Sequence, residues 1–166
     1  MPGSLGLGLG CGAQTNTADP DRPETAVTLP INKACPIVLR ENSYGLDILA
    51  FEHPLAGFQI VKGTLEPGES PEQAAVRELA EESGLPASVK RSLGNWVPGF
   101  ENHHWALALM RVDYDIPDEF RFFTQDDGGH WFRFFWQPLN APLSMQWHPL
   151  FQQAIAEIRT RLSLAT

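Results

Sequence analysis

Short apolar runs separated by polar turn residues recur along most of this chain, and their lengths divide strands from helices. Residues 33–40 (KACPIVLR) and 44–52 (YGLDILAFE) read as two strands joined by a tight Glu41-Asn42-Ser43 turn. Residues 58–62 form a further short strand, and residues 89–96 and 103–114 two longer ones. The last of these, HHWALALMRVDY, is apolar enough to be central in a sheet. Gly128-Gly129 marks a turn before an aromatic strand at 130–136. Two segments carry the helical period instead. Residues 149–162 put Leu150, Phe151, Ile155, Ile158 and Leu162 on one stripe, and residues 71–83 form the other helix. The order predicts an α/β fold in which a mixed β-sheet lies between helices. No internal repeat or interdomain linker interrupts it. Residues 25–166 read as one domain, and residues 1–24, with their Leu-Gly alternation and no basic start, as a flexible leader.

The helix at 71–83 has unusual chemistry. Ser70, Pro71 and Gln73 spell a capping box with proline at its favoured first position, and Gly84 is the expected C-terminal glycine. Residues 63–85 hold six glutamates, four of them on this helix. At roughly 100° per residue, Glu78, Glu81 and Glu82 share an arc of about 100° beside Arg77. Val76, Leu79 and Ala80 are expected to form the packing face, leaving the acidic face outward. Such clustering is unfavourable. Glu78 and Glu82 are a like-charge i,i+4 pair, and Glu81 and Glu82 lie in the last turn, where the helix dipole favours cations. A divalent cation is the simplest missing partner.

Gly63, Glu69, Arg77, Glu78, Leu79, Glu81, Glu82, Gly84 and Leu85 reproduce the spacing of the Nudix box without departure, and on this motif the chain resembles Nudix hydrolases. With individual residue types at about 7% of composition, a chance match is on the order of one in 10⁸ per starting position. The resemblance implies an α/β/α sandwich and metal-dependent hydrolysis of a nucleoside diphosphate linked to another group. It further implies that Arg77 pairs with Glu69, that the Gly63 carbonyl faces the metal, and that Glu78, Glu81 and Glu82 hold Mg²⁺ or Mn²⁺. Carboxylates are the hard ligands these ions take. The general base is Glu78, or a residue after the box: Glu119, Asp126 or Asp127. Asp126-Asp127-Gly128-Gly129 is equally a turn sequence.

Composition narrows the partners. The chain has 166 residues, 43% hydrophobic and 19% charged, with net charge −8, as a globular protein with a real core has. An acidic chain without a basic stripe argues against a nucleic-acid backbone as main partner. An anionic substrate would meet it through metal ions. No apolar run is long enough to cross a membrane, and Cys11 and Cys35 suggest a reduced, cytoplasmic protein. Related proteins are often homodimers. The substrate is expected to be a small nucleotide-type molecule: a dinucleoside polyphosphate, a nucleotide sugar or a nucleoside triphosphate.

Specificity is less legible. The positions where family members carry a marker proline or tyrosine hold Glu101 and Asn102, with Pro98 short of them. Lys62, before Gly63, resembles the Lys-Gly of members that act on dinucleoside polyphosphates or inositol pyrophosphates, and is a candidate phosphate contact. Trp96, Phe100 and Trp105 suit either base stacking or the core. His103 and His104 lack zinc spacing. Three further readings stand beside the hydrolase: a non-catalytic nucleotide-sensing module, a prenyl-diphosphate isomerase that would need Cys35, and hydrolysis of capped RNA 5′ ends.

Overall fold

The structure, a computed structural model, describes residues 29–164. The segment expected to be a leader, and Cys11, lie outside the described residues. Nine strands and two helices follow in the order β1 (Lys33–Ile37), β2 (Leu39–Asn42), β3 (Gly45–His53), β4 (Gly57–Gln59), β5 (Gly63–Thr64), α1 (Pro71–Ser83), β6 (Ser88–Trp96), β7 (Trp105–Arg111), β8 (Glu119–Thr124), β9 (His130–Pro138) and α2 (Pro149–Leu164).

The strands divide between two sheets. One runs β5-β1-β7-β6 and is mixed, since β1 and β7 are parallel; the other, β2-β3-β9-β8, is antiparallel, with β4 also on β3. The run expected as one strand at 33–40 breaks at Val38, where the chain passes from the first sheet to the second. The Val38 carbonyl accepts from the Leu49 amide at 2.9 Å, so the crossing stays hydrogen-bonded. β8 is an addition to the sequence reading: Glu-Phe-Arg-Phe-Phe-Thr is a clear alternation only once its inner face is known.

Period-two alternation gives each central strand two buried faces. Cys35 and Ile37 of β1, Leu107 and Leu109 of β7, and Ile48 and Ala50 of β3 pack towards Leu150, Phe151, Ala154, Ile155 and Ile158 of α2. Ala34, Ala108, Met110, Leu49 and Phe51 face the other way, towards Ala74, Ala75 and Leu79 of α1. The layers are helix, sheets, helix, as the resemblance implied. Small residues at Ala34, Ala74 and Ala75, all fully buried, bring α1 close to β1.

That close approach corrects the orientation expected for α1. Ala80 is exposed and Glu78 is buried, 6% accessible. At 100° per residue the packing face centres on Ala75, and Glu78 and Glu82 fall on it between Ala74 and Leu79. Glu78 therefore turns in towards β5 and Glu82 is half-buried, while Glu81 stays exposed.

Candidate active site

The capping box holds the phase of α1. Gln73 N donates to Ser70 Oγ at 3.1 Å, and Ser70 N donates to Gln73 Oε1 at 3.0 Å. At the other end Gly84 adopts φ 73°, and a Cβ there would lie 2.5 Å from the Phe122 ring of β8. A side chain at position 84 would push α1 away from β8, the strand that leads into the turn bearing Asp126.

Arg77 organises the loop before the helix. Its Nε and Nη2 donate to the two oxygens of Glu69 at 2.7 and 2.8 Å, and Nη2 also donates to the Thr64 carbonyl at 3.0 Å. Nη1 reaches Glu78 at 2.8 Å and Glu81 at 3.1 Å. Glu69 itself accepts from the Glu66 amide at 2.9 Å. These bonds, Arg77's first, push the Glu69 carboxyl down to about 2 and raise the Arg77 guanidinium further, so the pair stays ionised.

The other carboxylates are under-compensated. Burial raises Glu78 in spite of Arg77, with Glu81 and Asp126 adding to the rise. Burial raises Glu82 well above the ordinary carboxylate range, and Glu78 and Asp126 push the same way. Glu82 Oε2 is buried with no hydrogen-bond partner, a costly state for a carboxylate. Oxygens of Glu78, Glu81 and Asp126 all lie within 4.8 Å of one another. Gly63 closes this group from β5: a Cβ there would sit 1.7 Å from Glu78 Cδ. The glycine is required because the Glu78 carboxylate occupies the space of a side chain.

An acidic, partly dry cluster with an orphaned oxygen and backbone at close range suits a hard divalent cation. Glu78, Glu81, Glu82, Asp126 and the Gly63 carbonyl are the groups that could hold one. Beside the cluster, Ala80, Glu81, Phe122, Phe123, Gln125 and Asp126 line a cleft of about 330 Å³.

The candidate bases separate in space. Asp126 joins the cluster from a short 3₁₀ turn, Asp126–Gly128, that follows β8. Asp127 is exposed at φ 51° in the same turn. Glu119 is at the opposite end of β8, held by Arg133 at 2.7 Å. The turn chemistry and the site are thus one feature, since the turn aims Asp126 at α1. A role for Asp126 beside the box glutamates was visible only as an acidic turn after an unassigned strand.

Lys62 is half-buried, its Nζ 5.4 Å from the Trp105 ring centre and 5.8 Å from that of Phe151. Burial, then Lys33, lowers its pKa, while Glu82 opposes the shift. Trp105 is fully buried and Phe100 is 40% exposed. His103 and His104 are both buried. Cys35 is fully buried with its thiol pushed up to about 12 by burial, so it remains a protonated core residue.

The NUDIX domain family model matches residues 32–159, and the chain belongs to that family. An RNA pyrophosphohydrolase of Cereibacter sphaeroides (strain KD131) is 38% identical over 101 residues, which are 60% of this chain and 54% of that protein. The chain thus spans about half the length of the curated relatives it matches. Among solved structures, a UDP-X diphosphatase aligns with TM-score 0.59 at 14% identity, covering 87% of this chain and 68% of its own. The Ap4A hydrolase of C. elegans aligns with TM-score 0.54 at 15% identity, covering 82% of this chain and all of its own. At these identities the two structures share the fold. Among the described residues no helix is long and apolar enough to cross a membrane.

Proposed function

We propose that this chain is a metal-dependent pyrophosphohydrolase that cleaves a diphosphate linkage in a nucleoside diphosphate derivative. The single observation that carries the reading is the convergence of Glu78, Glu81 and Asp126 oxygens within 4.8 Å beside the unpartnered Glu82 Oε2. Three acids at such range, beside a fourth that is buried and unpartnered, carry more negative charge than Arg77 alone offsets. The names of the matched relatives, an RNA pyrophosphohydrolase, a UDP-X diphosphatase and an Ap4A hydrolase, support hydrolysis of a phosphoric anhydride and leave the substrate among several classes.

Bound at this cluster, Mg²⁺ or Mn²⁺ supplies charge neutralisation at phosphate oxygens and acidifies water. The chain's own residues do the rest. Glu81, Glu82, Asp126 and the Gly63 carbonyl would hold the cation. Arg77 and Glu69 act as positioning residues, locking the 63–69 loop to α1 so that Glu78 keeps one orientation. Glu78 would serve either as a further ligand or, instead, as the base that takes the proton of the attacking water. Lys62 offers a positive charge to a substrate phosphate from the side of β7.

The test is product release from dinucleoside polyphosphates, nucleotide sugars, nucleoside triphosphates and 5′-triphosphorylated RNA, with Mg²⁺, with Mn²⁺ and with chelator. Metal-dependent release from one class, abolished in Glu82→Gln, supports the reading. Silence of the folded, metal-loaded protein across the panel overturns it.

A further inference from the structure

The two rows Phe120↔Phe134 and Phe122↔Phe132 of the β8–β9 ladder pack on the α1 side. Alternation sends the intervening rows, Arg121↔Arg133 and Phe123↔Trp131, to the opposite face. There Phe123 is 46% and Trp131 55% exposed, with ring centres 5.4 Å apart and edge to face. Arg133 is committed to Glu52 at 2.8 Å and Glu119 at 2.7 Å. Arg121 is exposed and makes no hydrogen bond or ion pair among the described residues. In an acidic chain, this leaves an open aromatic pair beside an uncompensated cation.

The location adds to the composition. Phe123 lines the same cleft as Glu81 and Asp126, and a Cβ at Gly129 would lie 2.6 Å from its ring, so the ring rests on the turn that carries Asp126. Along β8 the carboxylate cleft, the aromatic pair and Arg121 follow in line, with Arg121 roughly 7 Å beyond Phe123. Aromatic faces on a sheet with a nearby guanidinium bind unpaired bases and their phosphates.

We propose that Phe123, Trp131 and Arg121 form a stacking platform for a single-stranded polynucleotide whose 5′ end enters the carboxylate cleft. This deepens the hydrolase reading by naming the substrate class, a 5′-phosphorylated single strand, and rests on that reading for the position of the anhydride. The acidic surface elsewhere confines the contact to a short segment, with Arg121 meeting about one phosphate.

The test uses fluorescence anisotropy of a labelled 5′-hydroxyl hexanucleotide, which carries no anhydride and so reports the platform apart from turnover. The wild-type chain should bind it with a shallow salt slope, near −0.7 for one phosphate on a single strand. Trp131→Ala and Phe123→Ala should each weaken binding by about tenfold, Trp131→Tyr should restore most of it, and Arg121→Gln should flatten the salt slope towards zero. An abasic strand of equal length should bind as weakly to the wild type as the intact strand does to Trp131→Ala. Thermal melting of each variant confirms that it is folded. No binding by the wild type, binding indifferent to these substitutions, or equal binding of the abasic strand overturns the proposal. So does a finding that Trp131→Ala changes only self-association, which would make the face a contact between copies. Binding of the strand with no cleavage of any substrate on the panel would defeat the hydrolase reading alone; cleavage of other panel substrates without strand binding, or without cleavage of the 5′-triphosphorylated strand, would defeat this proposal alone.

Discussion

Arg77 grips Glu69 through two parallel bonds, Nε to Oε1 at 2.7 Å and Nη2 to Oε2 at 2.8 Å, and turns its remaining nitrogen to Glu78 at 2.8 Å. One planar group thereby ties the loop to the carboxylate cluster. Lysine offers a point charge and cannot make the fork. Arg77→Lys should keep the fold and lower kcat/KM by roughly tenfold to a hundredfold, the usual cost of losing a group that orients a metal ligand. Steady-state kinetics with saturating metal checks this, and wild-type rates would remove Arg77 from the site.

Glu69 makes the acid stability of the chain readable. Its carboxyl is held at about 2, against an ordinary 4.5, so it is the depressed case. The stabilisation is present above the unfolded value and is lost as pH falls through the folded one. Glu69→Gln should therefore flatten the fall of Tm between about pH 5 and pH 2, measured by thermal melting at each pH. A variant whose Tm falls as steeply as the wild type's would show that the Arg77 pair contributes nothing there.

Glu82 has the opposite sign. Its carboxyl is raised by burial and by Glu78, so without metal its contribution is present below the unfolded value and lost as pH rises. Glu82→Gln removes that charge at nearly constant shape. In chelator at neutral pH the variant should melt about 2–4 °C higher, for roughly 1 kcal/mol of relief in a chain of this size. With metal it should lose most of its turnover. A lower Tm in chelator together with undiminished turnover would contradict both halves of the assignment.

Gly63 is needed for the space it leaves. A Cβ would stand 1.7 Å from Glu78 Cδ, so Gly63→Ala must displace a carboxylate that is already buried. Metal affinity, followed by calorimetric titration with Mn²⁺, should drop by roughly tenfold or more, while the far-ultraviolet dichroism stays that of the wild type.

Three acids after the box can be ranked by substitution. Asp126→Asn should reduce metal affinity or turnover by roughly tenfold or more, because Asp126 shares the cluster with Glu78 and Glu81. Glu119→Gln, whose parent carboxylate belongs to Arg133, and Asp127→Asn, which suits the same positive φ, should remain within about twofold of wild type in steady-state assays, the range of ordinary surface changes. A larger loss in Glu119→Gln than in Asp126→Asn would reverse the ranking.

Local rules account for what the sequence by itself determined. Ser70, Pro71, Gln73 and Gly84 cap a helix through neighbours three or four residues away, so α1 is legible to the residue at 71–83. The fixed spacing of Gly63, Glu69, Arg77, Glu78, Glu81 and Glu82 named the family for the same reason. Long-range packing decided the rest. Which way α1 faces depended on small Ala34, Ala74 and Ala75 admitting the helix close to β1, which buried Glu78 against the outward orientation expected for it. The break at Val38 exists because two sheets share one run of chain, a partition that no local pattern records. β8 and the aim of Asp126 followed from pairing with β9, since a strand that alternates charge and phenylalanine declares its inner face only against a partner.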